Sequence, residues 1–267
     1  MEVKTTEWHE WTSWLLEEAL EWEKPHSVAC GRMIGPYACC SVVEGDCLEL
    51  MKVLPDGAVD AVITDPPYGV SENTMRKSAG RGNLAECNDF PAIYGDSSPF
   101  NPWPWVSFPR CVLFGANHYA HKLPPSPSWI VWDKRCGLGE NDNADCELAW
   151  VKNAGPARIV RHYWNGMLRD SERNEARVHP TQKPVAVMAW ILQRYTAESD
   201  VIFDPFCGSG STLIAAKKLG RHFLGFEISP EYCEIARERL AGLEAQFALF
   251  GQYDPELKPE QLSLWLE

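Results

Sequence analysis

Asp65-Pro66-Pro67-Tyr68-Gly69 follows a run containing Val59, Ala61, Val62 and Ile63. A carboxylate followed by two prolines is a rigid hydrogen-bond acceptor. Proline fixes φ, so the carboxylate and the Pro66 carbonyl hold their places without reorganising. Such a pair suits one difficult nucleophile, an amine on an aromatic ring, whose lone pair is delocalised. Accepting hydrogen bonds from its N–H groups leaves that lone pair aimed at an electrophile. Tyr68 adds a flat face on which a planar heterocycle can stack. Asp65, Pro66, Pro67 and Tyr68 are therefore the candidate catalytic residues.

A second stretch could hold the partner in such a reaction. Phe203-Asp204-Pro205-Phe206-Cys207-Gly208-Ser209-Gly210-Ser211-Thr212 lies between a strand pattern and a helix pattern. Glycines let the backbone approach a ligand, and the helix start favours an anionic group. Glu227 ends the next strand, one strand–helix–strand unit after Asp204, where an acid can accept hydrogen bonds from a ribose diol. The third glycine of a dinucleotide turn is absent, since Leu213 stands there, and no Gly-Lys-Ser/Thr follows. A ligand with one nucleoside and a carboxylate fits better than one with phosphates. Alone, a glycine-rich turn is as often an ordinary tight turn.

The elements that must position these residues read as an α/β protein. Residues 38–46, 58–69, 111–117, 128–134, 147–153, 157–164, 201–206 and 221–228 read as strands. Residues 47–54 and 183–197, with Pro184 in the first turn, read as helices, as do 212–220 and a segment from Pro230 to about Leu243 capped by Ser229. Strand and helix alternate, and the strand at 58–69 is apolar on both faces. That predicts a doubly wound, mostly parallel, Rossmann-like sheet. Residues 7–23 predict a helix on which Trp8, Trp11, Leu15 and Trp22 share one face. This face covers the core or offers a surface to a second copy of the chain. The expected organisation is an N-terminal helix and linker over 1–37 and one catalytic domain over 38–267. Two loops, 71–110 and 135–180, interrupt that domain.

Composition narrows the class further. The 267 residues suit one large domain, and no apolar run approaches the roughly 18 residues of a membrane span. The Met1-Glu2-Val3-Lys4 start lacks a leader pattern, so a cytoplasmic protein is expected. The net charge is −12, but it is segregated. Seven Glu face two Lys in residues 1–24, whereas seven basic residues face three acids between Lys152 and Lys183. Ten cysteines without a C-x-x-C pair read as reduced thiols rather than disulfides or zinc ligands, and adjacent Cys39-Cys40 is poorly spaced for a metal. His118, His121 and His162 share no ligand spacing with an acid, so no metal is expected.

Taken in order, these motifs resemble the beta subgroup of the amino-group DNA methyltransferases of bacteria and phages. The tetrad Asp65–Tyr68 precedes the cofactor turn at 204–212. His179-Pro180-Thr181-Gln182-Lys183-Pro184 and Glu44-Gly45-Asp46 match two further motifs, and the likeness spans roughly residues 38–245. It implies S-adenosylmethionine as cofactor and double-stranded DNA as substrate. It implies a flipped base whose amine is held by Asp65 and the Pro66 carbonyl and stacked on Tyr68. Asp204, Phe206, Gly208 and Gly210 would shape the methionine end of the cofactor pocket. Glu227 would hold the ribose, Asp46 would lie near the adenine ring, and Thr181 and Lys183 would hold the carboxylate. Asp at the head of the tetrad favours adenine N6 over cytosine N4. Arg158, Arg161, Arg169, Arg173 and Arg177 would hold phosphates or read guanine edges. Trp103 and Trp105 either fill the gap left by the flipped base or pack beneath the loop. RNA or protein-glutamine methylation and a non-catalytic DNA-binding protein are the competing readings. The intact Asp65, Tyr68 and Glu227 oppose the last of these.

Overall fold

The structure, a computed structural model, describes residues 30–71, 93–137, 144–165, 168–173 and 177–251. The helix expected over 7–23 and most of the first half of the 71–110 loop lie outside the described residues. Among the described residues no helix is long and apolar enough to cross a membrane.

Eight strands form one sheet in the order β3-β12-β11-β4-β5-β7-β6-β8. The central ones are β4 (Ala61–Thr64), β5 (Arg110–Phe114), β11 (Val201–Asp204) and β12 (His222–Glu227), with β3 (Ser41–Glu44) at one edge. β6 (Trp129–Asp133), β7 (Cys146–Val151) and β8 (Arg158–Arg161) complete the other side. Pairing is parallel from β3 through β5 and between β6 and β8, and β7 alone runs antiparallel to both its neighbours. The sequence order does not show that β7 inserts between β5 and β6. Two short hairpins flank the sheet: β1 (Met33–Ile34) with β2 (Tyr37–Ala38), and β9 (Trp164–Asn165) with β10 (Leu168–Arg169).

Every residue of β4 and β11 is buried, because both faces of the sheet are covered. Alternation sorts the side chains. Ala61, Ile63, Val112 and Phe114 meet helices α3 (Val185–Tyr195), α4 (Ser211–Lys218) and α5 (Pro230–Gly251) on one face. Val62, Cys111, Leu113 and Phe203 face the other layer, made of the β1–β2 hairpin, α1 (Cys47–Leu50), α2 (Trp103–Val106) and the turn at 116–119. Among the described residues the long helices thus lie on one face.

Several boundaries differ from expectation. Ile34 is buried in the core, so the hairpin at 33–38 is part of the domain rather than linker. Within the 135–180 stretch, the strands expected at 147–153 and 157–164 are present as β7 and β8 of the main sheet. Pro184 is not in the first helical turn but is the N-cap of α3, at φ −62° and ψ 134°. Trp105 is 1% exposed against Phe203 and Phe206, so it packs beneath the loop, whereas Trp103 is 60% exposed.

Candidate active site

Parallel strands end on the same side, so the residues just past β3, β4, β11 and β12 converge at one edge. Between β4 and β11 the strand order reverses, the place where open α/β sheets bind ligands. Asp65 follows β4, Asp204 closes β11, Glu227 closes β12, and Asp46 lies two residues beyond β3. A cavity of about 410 Å³ opens there, within the range of small-molecule sites. Asp46, Asp65, Pro66, Pro67, Tyr68, Thr181, Lys183, Asp204, Phe206, Gly208 and Glu227 all line it. Gly210 does not. It is the left-handed N-cap of α4, and a Cβ there would lie 3.1 Å from that of Ala236 on α5. Its glycine serves the turn and helix packing rather than ligand contact.

The two motifs are joined by a buried bond: Thr64 Oγ1 donates to Asp204 Oδ1 at 2.6 Å. The same oxygen accepts from Phe206 N at 3.2 Å. Burial nevertheless pushes the Asp204 carboxyl up to about 6. Glu227 is tied to the turn through Oε2, which accepts from Gly208 N at 2.9 Å, while Oε1 accepts from Ser229 N at 2.8 Å. Burial raises its pKa, and each oxygen keeps a second lone pair for a ligand. Asp46 caps α1, accepting from Leu48 N at 2.8 Å.

At the tetrad, Tyr68 Oη donates to Asp65 Oδ1, and Lys183 Nζ reaches Asp65 Oδ2. Lys183 also pairs with Glu147 Oε2 at 3.0 Å, an ion pair without hydrogen-bond alignment. Glu147 Oε1 pairs with Lys134 at 3.0 Å. Two carboxylates and two ammonium groups thus form a chain in the interior. Burial works against the Lys183 ammonium, but Asp65 and Glu147 outweigh it and hold its pKa above the ordinary value. Asp65 is pulled two ways. Burial, the larger influence, raises its pKa, and the Lys183 ammonium in contact with Oδ2 works against that rise by favouring the carboxylate. Lys183, expected at the cofactor carboxylate, is paired with Asp65, the candidate catalytic acid.

Four features are invisible to motif reading. Tyr68 stacks on His118, with ring centroids 5.1 Å apart and planes 12° from parallel. Its ring also lies on Gly115, where a Cβ would overlap the Tyr68 ring carbons. Asp96 is buried beside the tetrad and accepts from Gly69 N at 2.8 Å. Glu172, at φ 54°, accepts from Val185 N at 3.0 Å and pairs with Arg239 at 3.4 Å. It thereby ties the basic segment to the start of α3. Nearby, His179 accepts from Thr181 N at 3.2 Å through Nδ1, and burial with Lys183 and Arg177 lowers its pKa to about 3.

The five arginines lie along β8, β10 and the segment beyond. Arg158, Arg161, Arg173 and Arg177 are exposed. Arg161 Nε is 3.6 Å from Asp133, and Arg169 lies 4.5 Å over the Trp164 ring. Arg173 donates to the Arg169 carbonyl at 2.9 Å and Arg177 to that of His179 at 3.0 Å.

Residues 127–238 match the family model described as DNA methylase. Among relatives, Type II methyltransferase M2.LlaDCHI of Lactococcus lactis subsp. cremoris is 27% identical over 240 residues, covering 74% of this chain and 88% of its own. Type II methyltransferase M2.DpnII of Streptococcus pneumoniae is 26% identical over the same shares. The crystal structure of the M1.HpyAVI–SAM complex aligns over 75% of this chain and 98% of its own, at 22% identity and a TM-score of 0.48.

Proposed function

We propose that this chain, which belongs to the amino-group DNA methyltransferases, methylates N6 of a flipped adenine at a specific site in double-stranded DNA. The observation that carries this reading is the single cavity lined by both the Asp65–Tyr68 tetrad and the Asp204–Glu227 pair. S-adenosylmethionine supplies a methyl group made electrophilic by a sulfonium. The residues present suit it, because acids line the cavity where a cationic ligand with a ribose diol would lie. Glu227 accepts from the ribose hydroxyls, Asp46 lies at the adenine end, and Asp204 with Phe206 shapes the methionine end. Gly208 lines the cavity beside them at φ of 50°, a left-handed conformation that favours glycine.

On the other side of the cavity, Asp65 and the Pro66 carbonyl accept the two N–H groups of the target amine. Contact with Lys183 favours the charged form of Asp65 against burial, the form in which it accepts most strongly from the amine. His118 and Gly115 brace the Tyr68 ring for stacking. The amine's lone pair forms the new N–C bond as the C–S bond breaks. The methylated nitrogen then loses a proton to water, so no general base is needed. Adenine over cytosine is supported by Asp at the head of the tetrad, as in the family's adenine enzymes. Arg158, Arg161, Arg169, Arg173 and Arg177 are assigned to the DNA, supported by their positions on an exposed flank of the sheet. The type II names of the relatives support a place in a restriction–modification pair, in the cytoplasm with the DNA.

Asp65→Ala tests the assignment. Transfer of labelled methyl to DNA should fall below detection while calorimetry still records S-adenosylmethionine binding. Undiminished transfer would remove Asp65 from the mechanism.

A further inference from the structure

At the opposite edge of the sheet, a second cluster takes no part in methyl transfer. Cys30, Cys39, Cys40 and His222 each bring one donor atom within 4.8 Å of all the others. Cys39 Sγ lies 3.0 Å from His222 Nδ1 and 3.5 Å from Cys40 Sγ, and Cys30 Sγ lies 3.9 Å from the same nitrogen.

Local structure explains the convergence. The β1–β2 hairpin folds the chain back, so the residues before and after it meet. Cys39 N donates to the Arg32 carbonyl at 3.0 Å, and Cys40 N to that of Phe223 at 2.8 Å. Adjacent side chains in a strand point to opposite faces. Cys40 escapes that rule with φ of 60°, a left-handed conformation uncommon outside glycine. Both sulfurs therefore face one point, and adjacency in the sequence does not exclude a shared centre, contrary to the spacing argument.

The donors suit one metal in particular. Three thiolates and an imidazole are ligands for a tetrahedral zinc ion. Zn–S bonds of about 2.3 Å and Zn–N bonds of about 2.0 Å place tetrahedral ligand atoms roughly 3.5–3.8 Å apart. The observed separations bracket that range, so small side-chain rotations would close the site. Lys217 is buried within electrostatic reach of Cys40 and also pairs with Glu244.

We propose that Cys30, Cys39, Cys40 and His222 bind one zinc ion that fastens the β1–β2 hairpin to the start of β12. Four protein ligands leave no open position, so the ion is structural. β12 carries His222 at one end and Glu227 at the other, roughly 16 Å away at about 3.3 Å per residue. The ion therefore stands apart from the methyl-transfer cavity and holds the strand that carries Glu227.

The full chain, purified in reductant without chelator, should contain about one zinc per molecule by mass spectrometry of the elements. Cobalt substituted for zinc should give thiolate-to-metal charge-transfer bands and the intense visible bands of a tetrahedral site. His222→Ala and Cys30→Ser should lower metal content at least several-fold, whereas Cys111→Ser, a buried thiol outside the cluster, should keep it. The cobalt spectrum of the unaltered chain decides the matter even if the ligand variants fail to fold. Metal below about a tenth per chain together with no tetrahedral cobalt spectrum would overturn the site. So would equal metal content in a folded His222→Ala chain.

Discussion

Replacing Gly69 with alanine should disable methyl transfer while leaving the protein folded. Gly69 follows the tetrad directly and has φ of 79°, where a side chain costs about 1–2 kcal/mol. A Cβ there would lie 2.5 Å from the Ser98 carbonyl oxygen and 2.8 Å from Pro99 Cα. Ordinary contact begins at 3.4 Å, so the shortfall is about 0.9 Å. Both obstructing atoms are backbone and cannot rotate aside. Either the 93–99 segment or the tetrad must move by nearly that distance, and the bond from Gly69 N to Asp96 is lost with it. A displacement of about 1 Å at a reacting centre costs on the order of 100-fold in rate. Steady-state transfer of labelled methyl to DNA should show kcat reduced by about that factor. The melting temperature should fall by only a few degrees, as about 1–2 kcal/mol allows. A variant with unaltered kcat would refute the claim that the tetrad's position is set by this close approach.

Two other perturbations follow from the buried charges. In cofactor-free protein, Asp204 titrates near 6 against an ordinary 3.8, so the folded chain holds a proton that the unfolded chain has lost between those values. The resulting cost, up to about 3 kcal/mol, is present in full above pH 6 and disappears as the pH falls to about 4. Asp204→Asn, which keeps an oxygen for Thr64 and Phe206, should therefore stabilise the protein in urea at neutral pH and not near pH 4. Lower stability at neutral pH would contradict it. Lys183→Gln leaves Asp65 and Glu147 together without their shared cation. Losing that cation raises the pKa of Asp65, so transfer should fall at least tenfold near neutrality and the acid limb of the rate profile should move to higher pH. An unshifted profile would place Lys183 outside the catalytic charge chain.

Much of the site was legible because it lies close in sequence to strand ends. The apolar run ending at Thr64 had to be a buried strand, and so did Val201–Phe203. Two parallel strands bring their following residues to one edge whatever the loops do. The glycine turn and Glu227 are fixed by a single strand–helix–strand unit. What could not be read depends on pairings across space. Lys183 reads from the sequence as a cofactor ligand because nothing in the chain indicates that Asp65, 118 residues away, and Glu147 compete for it. His118 has no ligand spacing that gives it a role in the sequence, and the fold stacks it on Tyr68 because the turn at 115–118 follows a neighbouring strand. The antiparallel insertion of β7 escaped because strand patterns carry no neighbour order. The meeting of Cys30, Cys39 and Cys40 with His222 needs a hairpin, a left-handed cysteine and a strand far along the chain.

The activity proposed for this chain is methylation of an exocyclic amine of DNA. Expression in a methylation-free bacterial strain, digestion of its DNA to nucleosides and mass spectrometry test that claim most directly. The account predicts N6-methyladenine in the presence of the chain and none with Asp65→Ala. N4-methylcytosine would keep the mechanism and overturn the choice of base. DNA bearing neither modification, from cells containing folded protein that binds S-adenosylmethionine, would contradict the account.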